Sequence, residues 1–569
     1  MSERIEQGRI ATAPSGYERG LLAAALIIGP LVFSLEVTSF LEIKEAWLLA
    51  ALTLAVASLF LRGRLPAIGP HVAVWAPLWL CLAYGLLRGG LSPAGSIHAL
   101  VFAGILGWAW IAGPLLASDE GRTRLLVTLL VSGVLVGLTV PLEWSASGTL
   151  WAAWSDAAVL AQGVLTSTFG NRDLLGGYLA IALGAGLALF RSDQRGKRPL
   201  IAACVFLFAM LLASGSRSAW LAALAAAMFA AALARPGKRT LLVAVPGAGF
   251  AMAFATILFP HLWTGRVLDT FAPHDAGTWT RLWLWEASLR MLADHGLLGV
   301  GLGRYSTWSA HYMADAMAAP WGTRYPANGL PGEHAHNDLL ELLCENGLPG
   351  LLLVIVFLYR LRPTRDRRLW VPLLALGVFG CSNAALFSAP HALAGVLLLQ
   401  ATSGRSASAE RADWPRRVAA LGCMALAPLH LAFAVWPSHL LTRAEEAHLQ
   451  GKAAVEAYLE AAVYPYTRST AMGFAAMQAL DTGQPAAARS FAAVSLRDRG
   501  WPELLAVQSL AAARLPDYPD TKPLLREALR QWPVNQAVFH ALWECAAESE
   551  RTTLRAHATR WNLHVPEAT

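Results

Sequence analysis

Long apolar stretches constrain the fold of this chain more than any other feature of its sequence. They begin near residues 20, 45, 70, 97, 123, 173, 199, 217, 240, 347, 369, 388 and 417. About 20 consecutive apolar residues cross a bilayer as a helix, and a helix satisfies its own backbone hydrogen bonds in lipid. The pattern predicts an all-α, polytopic membrane protein with about 13 transmembrane helices, although stretches around 199–234 and 369–402 can merge or shift.

Composition supports a membrane protein and excludes several other classes. Of the 569 residues, 56% are hydrophobic and 15% are charged, which is too apolar for a soluble globular protein. The net charge is +7, but the basic residues lie in short loops rather than in one stripe, so we expect membrane lipids and no nucleic acid as partners. The six cysteines are scattered without a CxxC pair, so neither a disulfide framework nor a zinc site is predicted.

The distribution of Lys and Arg predicts the orientation of the chain. Positively charged loops face the cytoplasm, and alternate loops carry Arg62 and Arg64; Arg122 and Arg124; Arg191, Arg195, Lys197 and Arg198; Arg235, Lys238 and Arg239; Arg360, Arg362, Arg365, Arg367 and Arg368; and Arg405, Arg411, Arg416 and Arg417. We therefore expect a cytoplasmic N-terminus over 1–19, a transmembrane domain over 20–436 and a large outward loop over 260–346.

The C-terminal segment, residues 437–569, differs in composition from the apolar part. Its Ala-, Leu-, Glu- and Arg-rich stretches are separated by Pro and Gly and predict consecutive short helices. Leu496–Pro502 and Leu529–Pro533 end two of these helices alike, which is typical of a degenerate repeat of tetratricopeptide type. An odd number of spans places this domain outside, where it would hold an acceptor or partner, or serve only for packing.

Within the outward loop, residues 280–292 predict a helix that lies in the membrane interface. Leu282, Trp285, Leu289 and Leu292 recur at helical spacing, and tryptophan with arginine favours the headgroup layer. The glycine-rich stretch 295–305 follows. No strand precedes it, so it does not predict a dinucleotide-binding loop.

Polar residues concentrate in 332–350, just before an apolar stretch resumes at Leu348. A His-Asn-Asp cluster on the first turns of a helix that enters the membrane places an imidazole at the lipid–water boundary. His336 suits a general base because imidazole titrates near neutral pH. Helix capping by Asn337 or Asp338, with Glu341 as capping partner, is the alternative, but capping does not need two histidines.

Two arginines occupy positions where a charge is costly. Arg217 opens an apolar stretch within Ser214–Trp220, and Arg281 lies on the predicted interfacial helix. Snorkelling or membrane anchoring would explain either one alone. Guanidinium groups match phosphate oxygens in a bidentate way. If Arg217, Arg281 and His336 lie together, they predict a lipid-linked phosphate or diphosphate bound beside a general base.

Several short motifs in this order resemble the O-antigen ligase and polymerase-like superfamily of bacterial inner-membrane enzymes. They are Phe169–Asp173, Gly215–Trp220, Arg281–Trp285 with Gly299–Gly303, and His336–Leu340 with Glu345–Gly350. The resemblance covers roughly residues 20–436, and the His-Asn element followed by Glu-x-Gly-x-x-Gly is its most specific part.

The resemblance implies a GT-C-like, inverting glycosyltransferase that needs no metal or cofactor. Such an enzyme transfers a glycan from undecaprenyl diphosphate to an acceptor hydroxyl on the periplasmic side, as in lipopolysaccharide biosynthesis. By motif position, His336 would be the base, and Arg217 and Arg281 would bind the diphosphate and stabilise its developing charge. Supporting candidates are His334, Asn337, Glu333, Arg304, Arg172 and Lys44.

The acceptor stays open between lipid A core, a protein and a growing glycan. The long outward tail is more similar to O-linked protein oligosaccharyltransferases, or to exopolysaccharide polymerases and ligases, than to simple ligases. Among other classes, a polyprenyl-glycan transporter would show charged or helix-breaking residues in two matching halves, and no internal duplication is visible. A metalloenzyme using His334, His336 and Asp338 lacks a convincing third ligand, and a non-catalytic scaffold leaves the clustered histidines and arginines unexplained.

Overall fold

The computed structural model describes residues 16–34, 39–145, 166–190, 197–234, 257, 275–327, 329, 332–361, 366–403, 414–450, 454–516 and 519–566. Within these ranges the regular secondary structure is helical, with no strand, as the sequence predicts.

Among the described residues, fifteen α-helices precede the tail or join it to the apolar part. They are α1 (Gly16–Leu31), α2 (Phe40–Leu61), α3 (Ile68–Arg88), α4 (Pro93–Leu116), α5 (Asp119–Ser145), α6 (Arg172–Ala188), α7 (Lys197–Ala213), α8 (Arg217–Ala234), α9 (Ala276–His295), α10 (Tyr305–Met317), α11 (Asp338–Leu361), α12 (Trp370–Gly380), α13 (Ala389–Ser403), α14 (Trp414–His430) and α15 (Trp436–Leu449). A π-helical turn, Leu431–Val435, joins the last two into one continuous helix.

Six helices in the described ranges are long and apolar enough to cross a membrane, which makes the chain a membrane protein. They comprise Leu41–Leu61, His71–Arg88, Pro93–Leu116, Asp119–Glu143, Asp338–Leu361 and Trp414–Leu449. Other predicted spans correspond to shorter helices, among them α6, α7, α8, α12 and α13, and the one predicted near 240 lies outside the described residues. A total of about 13 spans stays a prediction.

The span predicted to begin near residue 347 is the second half of α11. This helix begins at Asp338 and is kinked at Gly347, whose backbone (φ 59°, ψ −160°) is readily adopted only by glycine. The Gly347-Leu348-Pro349-Gly350 sequence therefore interrupts the helix, and the apolar helix that resumes after it is the span predicted to begin near residue 347. The bend leaves the N-terminal half of α11 beside the outward loop.

Helix α9 forms as predicted, and the apolar positions chosen from the sequence lie largely on its outer side. Leu282 and Leu289 are 40% and 59% exposed. The buried side instead carries Trp283, Leu284 and Met291, which pack with residues of α10. An exposed apolar row on this helix agrees with contact to a lipid interface.

The glycine-rich turn after α9 fastens the loop to the membrane helices. Leu302 N donates to Gly85 O (2.8 Å) near the end of α3, and Gly301 N donates to Glu345 O (2.8 Å) in α11. Gly301 has φ 103°, and a Cβ atom there would lie 2.2 Å from the Gly89 backbone. The glycines thus allow close backbone packing.

The tail continues with α16 (Val455–Ala461), α17 (Pro465–Asp481), α18 (Pro485–Ser495), α19 (Pro502–Ala513), α20 (Thr521–Gln531), α21 (Gln536–Cys545) and α22 (Glu548–Trp561). From α15 to α21, each helix packs against the next along the chain. This is the predicted succession of short helices, while the tetratricopeptide assignment and the domain limits stay predictions.

The tail packs against the outward loop and against the start of α2. Thr307 donates to Asp498 O (2.6 Å), Arg530 pairs with Asp315 (2.6 Å), and Tyr466 donates to Glu42 (3.1 Å). Loop and tail consequently lie on the same side of the helical bundle, which is the arrangement that their predicted outward orientations require.

Candidate active site

Asn337 fixes where α11 begins. Its Oδ1 accepts from Leu339 N (3.1 Å) and Leu340 N (3.0 Å), and its Nδ2 donates to Cys381 O (2.8 Å). The prediction that the histidines occupy the first turns of this helix is therefore wrong, because this cap places His334 and His336 before it. His336 has φ 48°, a left-handed conformation that non-glycine residues rarely adopt.

His334, which is partly exposed, forms an ion pair with the buried carboxylate of Glu341. Its Nδ1 lies 2.7 Å from Glu341 Oε1, and Glu341 Oε2 accepts from Ala335 N (3.0 Å). Glu341 is thus not the predicted capping partner, because its carboxylate turns toward the segment before the helix. Burial alone would lower the pKa of His334, but the Glu341 carboxylate raises it to about 9, so His334 is cationic at neutral pH.

His336 is affected in the opposite direction. Burial lowers its pKa, and the positive charges of Arg281 and His334 lower it further, while Asp173 and Glu341 act against them. His336 is therefore neutral at pH 7. Its Nδ1 is buried and has no hydrogen-bond partner among the described residues. A neutral imidazole with an unpartnered nitrogen is suited to exchange a proton with a bound substrate.

Arg281 lies between α6 and the end of α12. Its Nη2 donates to Asp173 Oδ2 (2.9 Å) and its Nε donates to Ser382 O (3.2 Å). Asp173 in turn accepts from Ser216 Oγ (2.6 Å) at the start of α8. The Asp173 carboxylate therefore holds the guanidinium of α9 close to α6 and to the start of α8.

Arg217 is the first residue of α8 and reaches the start of α9. Its Nη2 donates to Asp275 Oδ2 (2.6 Å), and the same carboxylate accepts from Thr278 N (2.8 Å) as the cap of α9. Burial would raise the pKa of Asp275, but the hydrogen bonds from Thr278 and Arg217 lower it, so this carboxylate stays ionised. Each arginine is thus held by a carboxylate of a neighbouring helix.

The two guanidinium groups converge at Gly277. A Cβ atom at this position would lie 3.3 Å from Arg217 Nη2 and 3.8 Å from Arg281 Nη1. Arg281 is also close enough to His336 for its charge to lower the pKa of that imidazole. The structure therefore brings the two arginines together and places Arg281 near His336.

The supporting candidates make contacts in different parts of the structure. Asn337 is the cap described above and His334 pairs with Glu341, whereas the more exposed Glu333 lies 3.7 Å from Arg499 of the tail. Arg304 donates to Gly89 O (3.1 Å) and lies 3.8 Å from Asp498. Arg172 begins α6 next to Asp173. Glu333 and Arg304 thus contact the tail.

Lys44 belongs to the helical bundle instead of the candidate site. It is almost fully buried, and its Nζ donates to Pro30 O (2.8 Å) and Val32 O (2.6 Å) at the end of α1. Its ammonium also lies 5.1 Å from the centre of the Phe169 ring. These contacts satisfy backbone carbonyl groups at a helix end, which is a structural role.

Sequence reasoning missed Asp173 and Asp275 as members of the site. Asp173 stands inside the Phe169–Asp173 motif, where only its arginine neighbour attracted attention. Asp275 precedes α9 as an ordinary N-cap signal. A carboxylate at a helix start does not indicate which arginine it binds, because the arginine of each pair is distant in sequence from its aspartate.

A cavity of about 450 Å³ lies on the other side of His334, between the membrane domain and the tail. Its walls include His334, Glu341, His98 and Phe387, and the tail contributes Glu445 and Tyr466 among others. The His334 ring packs on Phe387 (4.6 Å between centres), which packs edge-on against His98 (5.0 Å). Among the described residues, no group of three or more His, Cys, Asp or Glu side chains is arranged to hold a metal ion.

Comparison with known proteins gives a match over part of the chain. Residues 202–355 match the family model described as O-antigen ligase, a range that contains Arg217, Arg281 and His336. No curated protein matches the chain. The predicted resemblance to the O-antigen ligase superfamily is thereby confirmed over this range, and it supports a membrane enzyme of glycan-transfer or polymerase type.

Proposed function

We propose that this protein transfers a glycan from undecaprenyl diphosphate to an acceptor hydroxyl on the periplasmic side of the bacterial inner membrane. The observation that carries the proposal is the convergence of Arg217 and Arg281, with Arg281 near His336, within the range that matches the O-antigen ligase family. The N-terminus would be cytoplasmic, and the tail would be periplasmic together with the loop on which it packs.

The two arginines suit the diphosphate of the donor. A guanidinium carries five N–H donors in a planar fork and stays charged, so it binds phosphate oxygens in a bidentate way. In the structure, Asp275 and Asp173 hold Arg217 and Arg281 in place by hydrogen bonds of 2.6 and 2.9 Å. Both carboxylates leave the guanidinium groups close to Gly277, where a side chain would otherwise occupy space near them.

His336 would take the proton from the acceptor hydroxyl. The acceptor oxygen attacks the anomeric carbon, and the bond from that carbon to the diphosphate oxygen breaks with its electron pair. Undecaprenyl diphosphate leaves with an added negative charge, which Arg217 and Arg281 stabilise electrostatically. A direct displacement of this kind inverts the anomeric configuration and requires neither a metal nor a cofactor.

The low pKa of His336 supports this role, because the imidazole must be neutral before it can accept a proton. Protonated His334, held by Glu341 at 2.7 Å, places a positive charge nearby that favours the neutral form of His336. The unusual backbone of His336 (φ 48°) is consistent with a functional position, since such strained conformations are enriched at active sites.

A glycan-transfer assay in proteoliposomes tests the proposal. Purified protein and undecaprenyl-diphosphate glycan would be combined with lipid A core, a Ser-rich pilin-like protein or free glycan, each with wild type and with His336→Asn. We expect product on one acceptor, inverted at the anomeric carbon, unaffected by a chelator and lost in the variant. The acceptor that receives the glycan distinguishes a lipopolysaccharide ligase from a protein oligosaccharyltransferase or a polymerase.

Two results of this assay would contradict the proposal. Movement of the carrier-linked glycan across the bilayer, without product on any acceptor, would replace the transferase with a polyprenyl-glycan transporter. Full transfer by His336→Asn would remove His336 from the chemistry and leave the arginines as structural residues.

A further inference from the structure

The cavity beside His334 is rich in carboxyl groups. Two of them pair with the arginines of the lining, Glu333 with Arg499 at 3.7 Å and Asp498 with Arg304 at 3.8 Å. Glu341 pairs with His334, and Glu45 lies 3.0 Å from His430. Glu42, Glu345 and Glu445 also line the cavity and form no ion pair with any described residue.

Glu42 and His98 give independent evidence that this cavity takes a ligand. Glu42 is only 4% exposed, and while its Oε1 accepts from Tyr466 (3.1 Å), its Oε2 has no hydrogen-bond partner among the described residues. His98 Nδ1 in the same wall is likewise buried and unpartnered in the described part of the chain. Buried polar atoms without partners are costly, so a bound group or water that pairs with them would be stabilising.

The position of the cavity relates it to the acceptor rather than to the donor. Its wall contains His334, two residues before His336, whereas Arg217 and Arg281 lie outside the lining. The membrane domain supplies one wall through Glu42, His98 and Glu345, and the tail supplies the other through Glu445 and Tyr466. The site is therefore incomplete without the C-terminal domain.

We infer that this cavity binds the uncharged, hydroxyl-rich end of an acceptor glycan and disfavours acceptors that carry phosphate or carboxylate groups there. Carboxyl groups accept hydrogen bonds from sugar hydroxyls, and Phe387, Tyr466 and Phe474 provide apolar surface in the same lining. Burial makes a further negative charge costly in this lining, where seven carboxyl groups face only Arg304, Arg499 and His334, so an anionic acceptor group is strongly disfavoured. This inference rests on the proposed function and specifies the class of its acceptor.

The size of the cavity agrees with a glycan end rather than a folded protein. A volume of about 450 Å³ falls within the range of small-ligand sites. Walls from two domains enclose this space, so a few sugar residues would fill it. The same walls would require a protein acceptor to present an isolated extended segment.

The test compares two probes that differ in charge alone. The free glycan released from the donor is fluorescently tagged at its reducing end, and a second sample of it is phosphorylated on the terminal sugar. Binding to the full-length protein in detergent is measured by fluorescence polarisation. The neutral glycan should bind at least about tenfold more tightly than the phosphorylated one, because the acidic lining of the cavity opposes the negative charge of the phosphate group.

Matched variants assign the preference to this cavity. Glu42→Gln with Glu445→Gln replaces two acidic side chains of the lining with little change in shape. Glu456→Gln with Glu460→Gln replaces two exposed acidic side chains of α16 outside the lining. The first pair should reduce the neutral-to-phosphorylated ratio to about threefold or less, while the second should leave it unchanged. Thermal melting of each variant confirms that it is folded.

Three results would overturn the inference: equal or tighter binding of the phosphorylated glycan, no binding of either probe, or a ratio that the cavity pair does not alter. A parallel measurement of transfer separates this failure from failure of the proposed function. Charge-selective binding without any transfer would refute the transferase while keeping the cavity, and transfer without charge-selective binding would do the reverse.

Discussion

The two sides of the segment that carries His334 and His336 differ in the sign of their charge. On the His336 side, Arg217 and Arg281 converge at Gly277, each held by an aspartate. On the His334 side, Glu341 and the unpaired carboxyl groups of the cavity dominate. The pKa of His336 is accordingly lowered, while that of His334 is raised to about 9. Identical side chains two residues apart thus acquire opposite protonation states from their surroundings.

This difference assigns the two substrates of the proposed reaction to different sides of the segment. The cationic side suits a diphosphate that gains negative charge as it leaves, and the acidic side suits an acceptor that brings no charge. A neutral imidazole between them can accept a proton, and the protonated imidazole beside it helps to keep it neutral. The following variants test the comparison, in order of decreasing effect.

The largest effect is expected for His336→Asn. Asparagine tolerates the left-handed backbone (φ 48°) at this position, so the variant should fold. Loss of a general base costs about 10²–10⁴-fold in rate, and we expect transfer to fall by about 10³-fold. Initial rates in proteoliposomes give the effect, and the melting temperature in detergent shows whether folding is affected. A loss below tenfold would contradict the assignment of the base.

Arg281→Lys tests the cationic side with its charge retained. Lysine cannot reproduce the bidentate fork, so donor binding and turnover should fall together by about 10²-fold. Arg290→Lys on the same helix is the matched control, because Arg290 pairs with Glu286 (2.7 Å) away from the site. Donor titrations of both variants give the comparison. Equal behaviour of the two variants would reduce Arg281 to an interfacial anchor.

The pH dependence of transfer reports the coupling between the two sides. His336 has a lowered pKa, so the acid limb of the wild-type profile should lie below pH 6.5, the ordinary value for histidine. Arg281→Gln and His334→Gln each remove a positive charge that lowers this pKa. Both variants should therefore move the acid limb to higher pH in profiles of residual activity. An acid limb at the wild-type pH in both variants would show that a group other than His336 titrates.

The smallest effect concerns stability. The folded pKa of His334 is about 9, above the value of 6.5 for an unpaired histidine, so its pair with Glu341 contributes its full stability below about pH 6.5. That contribution declines as pH rises and is lost above about 9. The melting temperature of wild type should exceed that of His334→Gln by several degrees at pH 6 and by less at pH 9.5. A difference that grows with pH would exclude the ion pair.

Local signals in the sequence predicted much of the fold. The apolar stretches predicted helices, and nearly all of the expected starts lie within a few residues of an observed helix, because apolar runs of this length have no other stable form in lipid. Asn337 as a cap and Arg217 as the start of α8 were likewise readable. The interruption of α11 at Gly347 was also readable, since Gly347 and Pro349 mark the break after which the predicted span begins.

The sequence by itself determined the class of protein, the order of its helices and the residue types capable of the chemistry. The tertiary structure alone decided that Arg217 and Arg281 converge, that Asp275 and Asp173 hold the arginines, and that Lys44 serves a helix end. It also decided that the tail closes an acidic cavity next to His334. These are contacts between residues distant along the chain, and helical periodicity records only which neighbours share a face, not which helix that face will meet.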